Sequence, residues 1–454
     1  MYDVLAILGD SASVERQPAF RIEQAGTAAV SAYRALRTRV FVEEQALFEG
    51  HDLDEHDDDP RTVVLVARGR DGAVIGGVRL GPVTPEDLGW WYGGRLVVAP
   101  ESRGRVGPAL VRAACAYAEN AGVLRFEATV QARNEAMFTR LGWQSVREVA
   151  VAGSAHVLMR WPIGRINALA QSTKGDLGAL LTGLTGVPGF VGDDGVPVPG
   201  SDLVAACDAI VPSMVERDPR WAGWCAVLVN LNDLAAMGAE PVGLLDALGA
   251  RDRSFAARVL AGLREASQAY DVPVLGGHTQ LGVPAALSVT ALGRTAAPVP
   301  GGGGAPGQRV WLTADLAGRW RPGYAGRQWD STTSRRTPEL RLMLDAVRRA
   351  RPAAAKDVSM AGVAGTLGML AEASGCGAEL DLARVPKPAA ASMGDWLSCF
   401  PGFAMLTAGE PLTAGPAVSV ECGRLVPGRG VALCWPDGER TEVLAGGVTG
   451  LGRA

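Results

Sequence analysis

Asp233 lies in NLNDLAAMGAEP, a stretch that opens at Asn230 and is crowded by Leu228, Val229, Leu231, Leu234, Ala235 and Met237. A carboxylate in such a run is costly to bury unless it is paired, hydrogen-bonded or bound to a cation. Two readings stand: a cap for a helix that starts there, or one member of an acidic cation site. Capping alone predicts no acidic partners, and partners exist. Asp193 and Asp194 sit side by side in VGDDGVPVPG, Asp208 falls in ACDAIV and Asp357 in KDVSMAG. Read as strand-to-turn junctions beside Gly or Ala, these acids suit Mg²⁺ with phosphate oxygens better than a soft metal. Asp193 and Asp194 repel one another, so a cation would hold them. Downstream, LGGHTQLG from Leu275 offers Gly276, Gly277 and His278. That histidine either contacts phosphate or substrate, or closes a turn.

In this order and spacing, GDD, NDLAAMGAEP, GGHT and KDVS resemble the AIR synthase-related superfamily from roughly Lys174 to near the C-terminus. The superfamily holds aminoimidazole ribonucleotide synthetase, thiamine monophosphate kinase, selenophosphate synthetase and the hydrogenase-maturation dehydratase. The resemblance implies an ATP-dependent enzyme in which Mg²⁺ bridges nucleotide phosphates to Asp193, Asp194, Asp208, Asp233 and Asp357. Gly192, Asn232, Gly276 and Gly277 would then lie against the cofactor, with His278 as a catalytic position. The γ-phosphoryl group would go to an oxygen of a small-molecule substrate. On a carbonyl or amide oxygen it becomes a leaving group for cyclisation or dehydration; on a phosphate the reaction is that of a kinase. Before Asp193 the nearest cysteine is Cys115, which speaks against the selenophosphate branch. His278 also departs from the kinase and cyclase branches, which are acidic there. A homodimer through the first of two α/β subdomains, with the ATP site near its interface, is implied as well.

The N-terminal third carries a second constellation. VFVEEQ from Val40 precedes the acidic run DLDEHDDD, and RGRVGPALVRAACAYAENAG from Arg103 reads as a Gly-containing turn entering an amphipathic helix. A turn of this kind at a helix N-terminus is a generic anion cradle. Joined to NEAMFTRLGW from Asn134, these segments resemble the GNAT acyltransferases over about Arg16 to Trp161. That resemblance implies acetyl-CoA or another acyl-CoA, with its pyrophosphate at Arg103, Gly104, Arg105, Val106 and Gly107. The pantetheine arm would lie along Leu96–Val98, with Asn134 nearby. Two positions depart from the pattern: Val106 and Pro108 replace small residues of the loop, and Phe138 stands where a proton-donating tyrosine is common. The base for an attacking amine is sought in Glu43 and Glu44, or in His51, Asp54, Glu55, His56 and Asp57. DEHDDD read alone is a solvated loop. The choice is between an active acyltransferase and a catalytically inactive ligand-binding module fused to a small-molecule phosphate kinase.

Positioning such residues takes α/β elements in several domains. Short strands (Val63–Ala67, Gly94–Pro100) and helices alternate in the first third, giving a GNAT-like mixed sheet with helices over 1–165. An AIR synthase-like two-subdomain α/β unit follows, 166–300 and 301–454, divided at PVPGGGGAPGQ, which reads as a flexible linker. The segment from Arg321, with Trp329 and Asp330, suits either a loop closing over substrate or a surface loop before a helix capped by Thr337. At 454 residues the chain has room for two or three cores. A net charge of −4 makes no case for nucleic acid or an anionic membrane. MYDVLAILGD has no basic start and does not read as a signal peptide, and the apolar stretch near Cys225 is broken by polar residues. Seven cysteines without a CxxC read as buried thiols in a reducing cytoplasm. The expectation is a cytoplasmic bifunctional enzyme that phosphorylates a carbonyl or amide oxygen of a small molecule and acylates an amine of the same substrate or pathway, fusion concentrating an intermediate for the second site.

Overall fold

The computed structural model describes residues 19–184 and 186–454. The stretch MYDVLAILGD and the expected start of the acyltransferase-like region at Arg16 lie outside the described residues. The chain divides into two compact units, Met1–Ile163 and Gly164–Ala454. Both are mixed α/β. Among the described residues no helix is long and apolar enough to cross a membrane.

The first unit is built on a seven-stranded sheet of order β1-β2-β3-β4-β5-β7-β6. Its strands are β1 (Phe20–Gln24), β2 (Val63–Gly69), β3 (Val74–Pro82), β4 (Trp90–Val98), β5 (Arg125–Gln131), β6 (Gln144–Val151) and β7 (Ser154–Trp161). Helix α1 (Thr27–Arg37) buries Ala29, Tyr33 and Leu36, a single stripe at helical spacing, and runs on into a wider helical turn over Thr38–Glu44. Helix α2 (Val106–Asn120) packs on β3 and β4, and its Leu110, Val111 and Ala114 share one core with Phe126, Ala128 and Val130 of β5. By strand alternation Thr129 and Gln131 point to the opposite face. Helix α3 (Glu135–Arg140) then leads into β6.

Strands β4 and β5 form the one parallel pair of this sheet, and they pair only over Trp90–Gly93 and Arg125–Ala128. Beyond that point both strands continue without pairing to each other, which opens a gap. Arg95, just past the break, has φ 52°, a left-handed conformation costly for a residue with a Cβ. The fully buried Tyr33 holds it there, its hydroxyl donating to the Arg95 carbonyl at 2.7 Å.

In the second unit, α4 (Arg165–Lys174) and α5 (Leu177–Leu180) precede a five-stranded sheet of order β11-β10-β12-β9-β8. Its members are β8 (Val196–Pro197), β9 (Leu203–Ala209), β10 (Glu240–Ala250), β11 (Val274–Leu281) and β12 (Ala286–Arg294). The short α6 (Pro212–Arg217) leads into α7 (Pro219–Ala236), which packs against α8 (Arg253–Tyr270). Helix α7 is buried nearly all round, as its apolar circumference requires. A second, seven-stranded sheet runs through Ala354–Asp357, Ala404–Ala408, Arg309–Ala314, Val418–Val426, Gly377–Asp381, Val431–Cys434 and Arg440–Leu444. Phe403 and Met405 from this half share one core with Leu231 and Leu234 of α7.

Several local expectations change. Asp233 caps nothing: α7 begins at Pro219, with Asp218 accepting from the Trp221 amide, and Asp233 lies in its last turn. It is therefore on a helix and not at a strand end. LGGHTQLG is no turn but most of edge strand β11. The tetraglycine is packed and does not act as a loose linker. A Cβ on Gly301 would strike Asp193 and Lys356, and one on Gly303 would strike the Ala353 carbonyl. Trp329 and Asp330 are buried, the indole donating to the Ala317 carbonyl at 3.1 Å, so they do not form an exposed flap. Thr337 and Pro338 are the first two residues of their helix, whose cap is Arg336 rather than Thr337. All seven cysteines are free thiols, yet Cys207 is exposed.

Candidate active sites

Asp194, Asp233 and Asp357 converge in the second unit, each placing a carboxylate oxygen within 4.8 Å of the other two. Three elements deliver them: the turn after Gly192, the last turn of α7, and the end of strand Ala354–Asp357. Gly192, at φ 75°, permits that turn. Lys356, 1 % exposed, donates from Nζ to Asp194 Oδ1 at 2.9 Å and to the Gly192 carbonyl at 2.9 Å. The Asp357 amide donates to Asp194 Oδ2 at 2.8 Å. Asp233 and Asp357 receive no side-chain hydrogen bond among the described residues. Burial pushes both carboxyls well above the usual range; for Asp357 the Asp194 charge, and for Asp233 the Asp357 charge, add to it.

The other expected acids stand around this trio. Asp193 turns aside: its Oδ2 accepts from the Gly301 amide at 2.9 Å, while its Oδ1 has no hydrogen-bond partner and lies 3.9 Å from Lys356 Nζ. Burial raises its carboxyl to about 6 against the pull of Lys356. Asp208 ends β9 beyond the three-carboxylate group; its carboxyl is raised by burial, with Lys174 opposing and Asp194 reinforcing. Asn230 accepts from the Asp208 amide at 3.1 Å. Asn232 donates to the Gly402 carbonyl at 3.1 Å and leaves its own Oδ1 buried and unsatisfied.

Gly276, Gly277 and His278 lie on exposed edge strand β11. Strands β10 and β12 separate it from β9 and Asp208, roughly 14 Å at ordinary strand spacing. Within one chain, His278 is not brought to the carboxylates by this sheet.

In the first unit a cavity of about 390 Å³ is lined by Leu96–Val98, Arg103, Gly104, Gly107 and Asn134, which places the expected loop, strand and asparagine on one cleft. Arg105, the residue before α2, and the buried Val106 do not line it. Glu44 reaches back to this cleft and pairs with Arg103. Glu43 is exposed and lines neither this cavity nor its neighbour. That neighbour, about 130 Å³, sits where β4 and β5 separate.

The acidic run is neither a solvated loop nor a set of free bases. Asp52, Asp54 and Asp57 fold inward onto Arg37, Arg79 and Arg95. Burial opposes ionisation of Asp57, but hydrogen bonds and charge from Arg37 and Arg79 win and hold its carboxyl well below the usual range. Of the two loop histidines, His56 stacks on Tyr92 with ring centroids 4.5 Å apart.

Residue-type reasoning missed Lys356, Arg37, Arg79 and His156. Lys356 sits in the apolar strand AAKD and Arg79 in VIGGVRLGP, the same charge-in-apolar-run signal that singled out Asp233. His156 carried no such signal. It is buried on β7, lines the smaller cavity, and its Nδ1 lies 2.9 Å from the Ser154 carbonyl.

Both units have relatives among known proteins. Residues 192–295 match the family described as AIR synthase related protein, N-terminal domain, and 305–445 its C-terminal domain. Residues 29–143 match the acetyltransferase (GNAT) family. An uncharacterized protein of Synechocystis sp. is 37% identical over 229 residues, covering 49% of this chain and 70% of its own. A thiamine-monophosphate kinase of Methanospirillum hungatei is 30% identical over 214 residues, covering 42% of this chain and 73% of its own. The fold of PurL from T. maritima, solved with FGAR, superposes with a TM-score of 0.52 at 16% identity, over 63% of this chain and 54% of that one. The chain belongs to the AIR synthase-related family, and a GNAT-family domain precedes that part.

Proposed function

We propose that the second unit binds Mg·ATP at Asp194, Asp233 and Asp357 and transfers the γ-phosphoryl group to an oxygen of a small molecule. The observation that carries this is a charge imbalance. Three converging carboxylates, with Asp193 and Asp208 beside them, face one buried ammonium, and two of the three lack any donor. Such a set fits a hard divalent cation, whose oxygen ligands are of this type. When bound, the cation would neutralise charge on the nucleotide phosphates and on the transferring group. The chain's own part is to hold the acids: Lys356 and the Asp357 amide fix Asp194, and α7 fixes Asp233. Carbonyl, amide and phosphate oxygens are the acceptor classes; the likeness to a thiamine-monophosphate kinase favours a phosphate oxygen. A homodimer formed along β11 is part of this reading, supported by an edge strand that exposes Val274, Leu275 and Leu281. It would give His278, Gly276 and Gly277 a partner surface. Domain boundaries near 165 and 300 belong to it too, as does a cytoplasmic setting.

Titration calorimetry with Mg·ATP tests the assignment. Binding by the wild type and a loss of at least about 100-fold in Asp357→Asn is expected; equal affinities would remove the acids from the site. ADP release with thiamine monophosphate as probe then tests the phosphate-oxygen acceptor.

The first unit, in the same proposal, binds an acyl-CoA along Leu96–Val98 with its pyrophosphate at Arg103–Gly107, and passes the acyl group to an amine. Acetyl-CoA is the simplest such donor. His156 supplies the base that the acidic loop does not. With Nδ1–H donating to the Ser154 carbonyl, Nε2 carries the lone pair and can take the amine's proton as the C–N bond forms and the C–S bond breaks. Phe138 has no proton to give, so solvent protonates the departing thiolate. His156→Gln should lower the rate of acyl transfer about 100-fold or more while CoA still binds; an unchanged rate would exclude His156.

A further inference from the structure

The smaller cavity of the first unit is far larger than an acetyl group needs, and its chemistry changes along its length. On the α2 side of the sheet its walls are Val111, Ala114, Phe126, Val130, Phe138 and Trp143, with no charged side chain among them. On the other side stand Tyr92, Arg95, Thr129, Gln131 and His156, beside the rings of Phe41 and Phe48. The cavity therefore passes through the gap that β4 and β5 leave beyond Gly93 and Ala128. It shares Phe41, Leu96, Gln131 and Asn134 with the larger cleft that holds the Arg103–Gly107 loop. Anything threading along Leu96–Val98 from that loop reaches the shared rim first and the apolar chamber next.

We infer that this chamber receives the acyl chain, and that the donor is an acyl-CoA whose acyl group holds about six carbons, straight, branched or aromatic, rather than acetyl-CoA. The inference rests on the reading that this unit binds an acyl-CoA. The whole cavity, of which the chamber is the apolar part, measures about 130 Å³, against the roughly 150 Å³ at which an apolar cavity stays dry and takes up benzene. A lone acetyl methyl would leave most of those aromatic and aliphatic walls without contacts, which is unfavourable. The position of Phe138 belongs to the same design. It is buried edge-on against Trp143, ring centroids 5.3 Å apart, and serves as chamber wall where a tyrosine would bring a hydroxyl needing a partner. The polar end, with His156 and Gln131, is left for the amine.

Titration of the full chain with CoA, acetyl-CoA, butyryl-, hexanoyl-, benzoyl- and decanoyl-CoA decides it. Each fully buried methylene strengthens binding about fourfold, so hexanoyl-CoA should bind at least about tenfold tighter than acetyl-CoA, with no further gain at decanoyl. Ala114→Met and Ala128→Val, which fill the chamber, should erase that preference and leave the affinity for CoA itself unchanged. Equal affinity for acetyl- and hexanoyl-CoA, or affinity still climbing at decanoyl, would overturn the chamber assignment while the acyl-CoA reading stands. If CoA and all its thioesters fail to bind, that reading falls and the chamber with it. Because the chain-length series is run on the wild type, a variant that fails to fold does not remove the test.

Discussion

Two clusters of aspartates sit in this chain, and they differ in how their charge is met. In the first unit Asp52, Asp54 and Asp57 face three arginines, Arg37, Arg79 and Arg95, in a closed network. In the second, Asp194, Asp233 and Asp357 have one ion-paired cation among the described residues, Lys356, with Lys174 acting on Asp357 only by its charge from farther off. The first set has an arginine for every carboxylate, with Arg34 a further neighbour 4.0 Å from Asp57, so it acts as structure, tying the loop after α1 to the sheet. The second is short of positive charge, which leaves it work that only a further cation can complete. Acid-rich sequence is common to both; the number of buried counter-charges separates scaffold from site.

The sharpest way to break this contrast is Asp57→Ala, which leaves Arg37 and Arg79 buried without their shared carboxylate. A loss of about 3–5 kcal/mol is expected, read as a lowered unfolding transition of the first unit in calorimetry; a shift near zero would mean the network is not closed. Asp233→Asn should do the opposite. It removes a carboxylate crowded by like charges, so the metal-free second unit should be no less stable than wild type, while stabilisation by Mg·ATP disappears. Marked destabilisation without metal would show that Asp233 is a paired structural acid after all.

Acidity sharpens the comparison further. Asp54 and Asp57 are held low by their arginines despite burial, so their contribution is present above the unfolded value of about 3.9 and is lost as pH falls below it. Asp193 is raised to about 6. Between about 3.9 and 6 the folded state keeps the extra proton there, and metal-free stability of the second unit declines as pH rises through that window. Asp233 and Asp357 are raised as well, so cation and proton compete for these acids and the rise in melting temperature on adding Mg²⁺ should grow from pH 5 to pH 8. A Mg²⁺ effect that does not vary with pH would refute this. The smallest effect belongs to Glu44→Gln, which breaks a half-exposed pair with Arg103 and should change stability by no more than about 0–1 kcal/mol. Its use is to see whether freeing Arg103 tightens CoA binding.

Much of the design was legible residue by residue. GDD, NDLAAMGAEP and KDVS marked the acids that converge, because a charge set in an apolar run must be compensated wherever it lands. The helix after Arg103 and the strand around Leu96–Val98 were readable from periodicity and turn residues, and they do share a cleft. The acidic loop was misjudged because its compensation comes from afar: Asp57 meets Arg37 and Arg79, 20 and 22 residues away in sequence. The tetraglycine looked loose because glycine permits both freedom and close approach, and only its neighbours tell which.

By itself the sequence determined the two families and the mixed α/β class, and it held Asp194, Asp233 and Asp357 among five candidate acids, since these follow from local patterns and residue chemistry. Tertiary structure decided which acids are already paired, that Lys356 fixes Asp194, that His156 opens on a cavity and that β4 and β5 part to form it. The physical reason is that burial and counter-charge are properties of a place in space. A carboxylate has the same formula in both clusters; what surrounds it is assembled from residues that the chain order keeps apart.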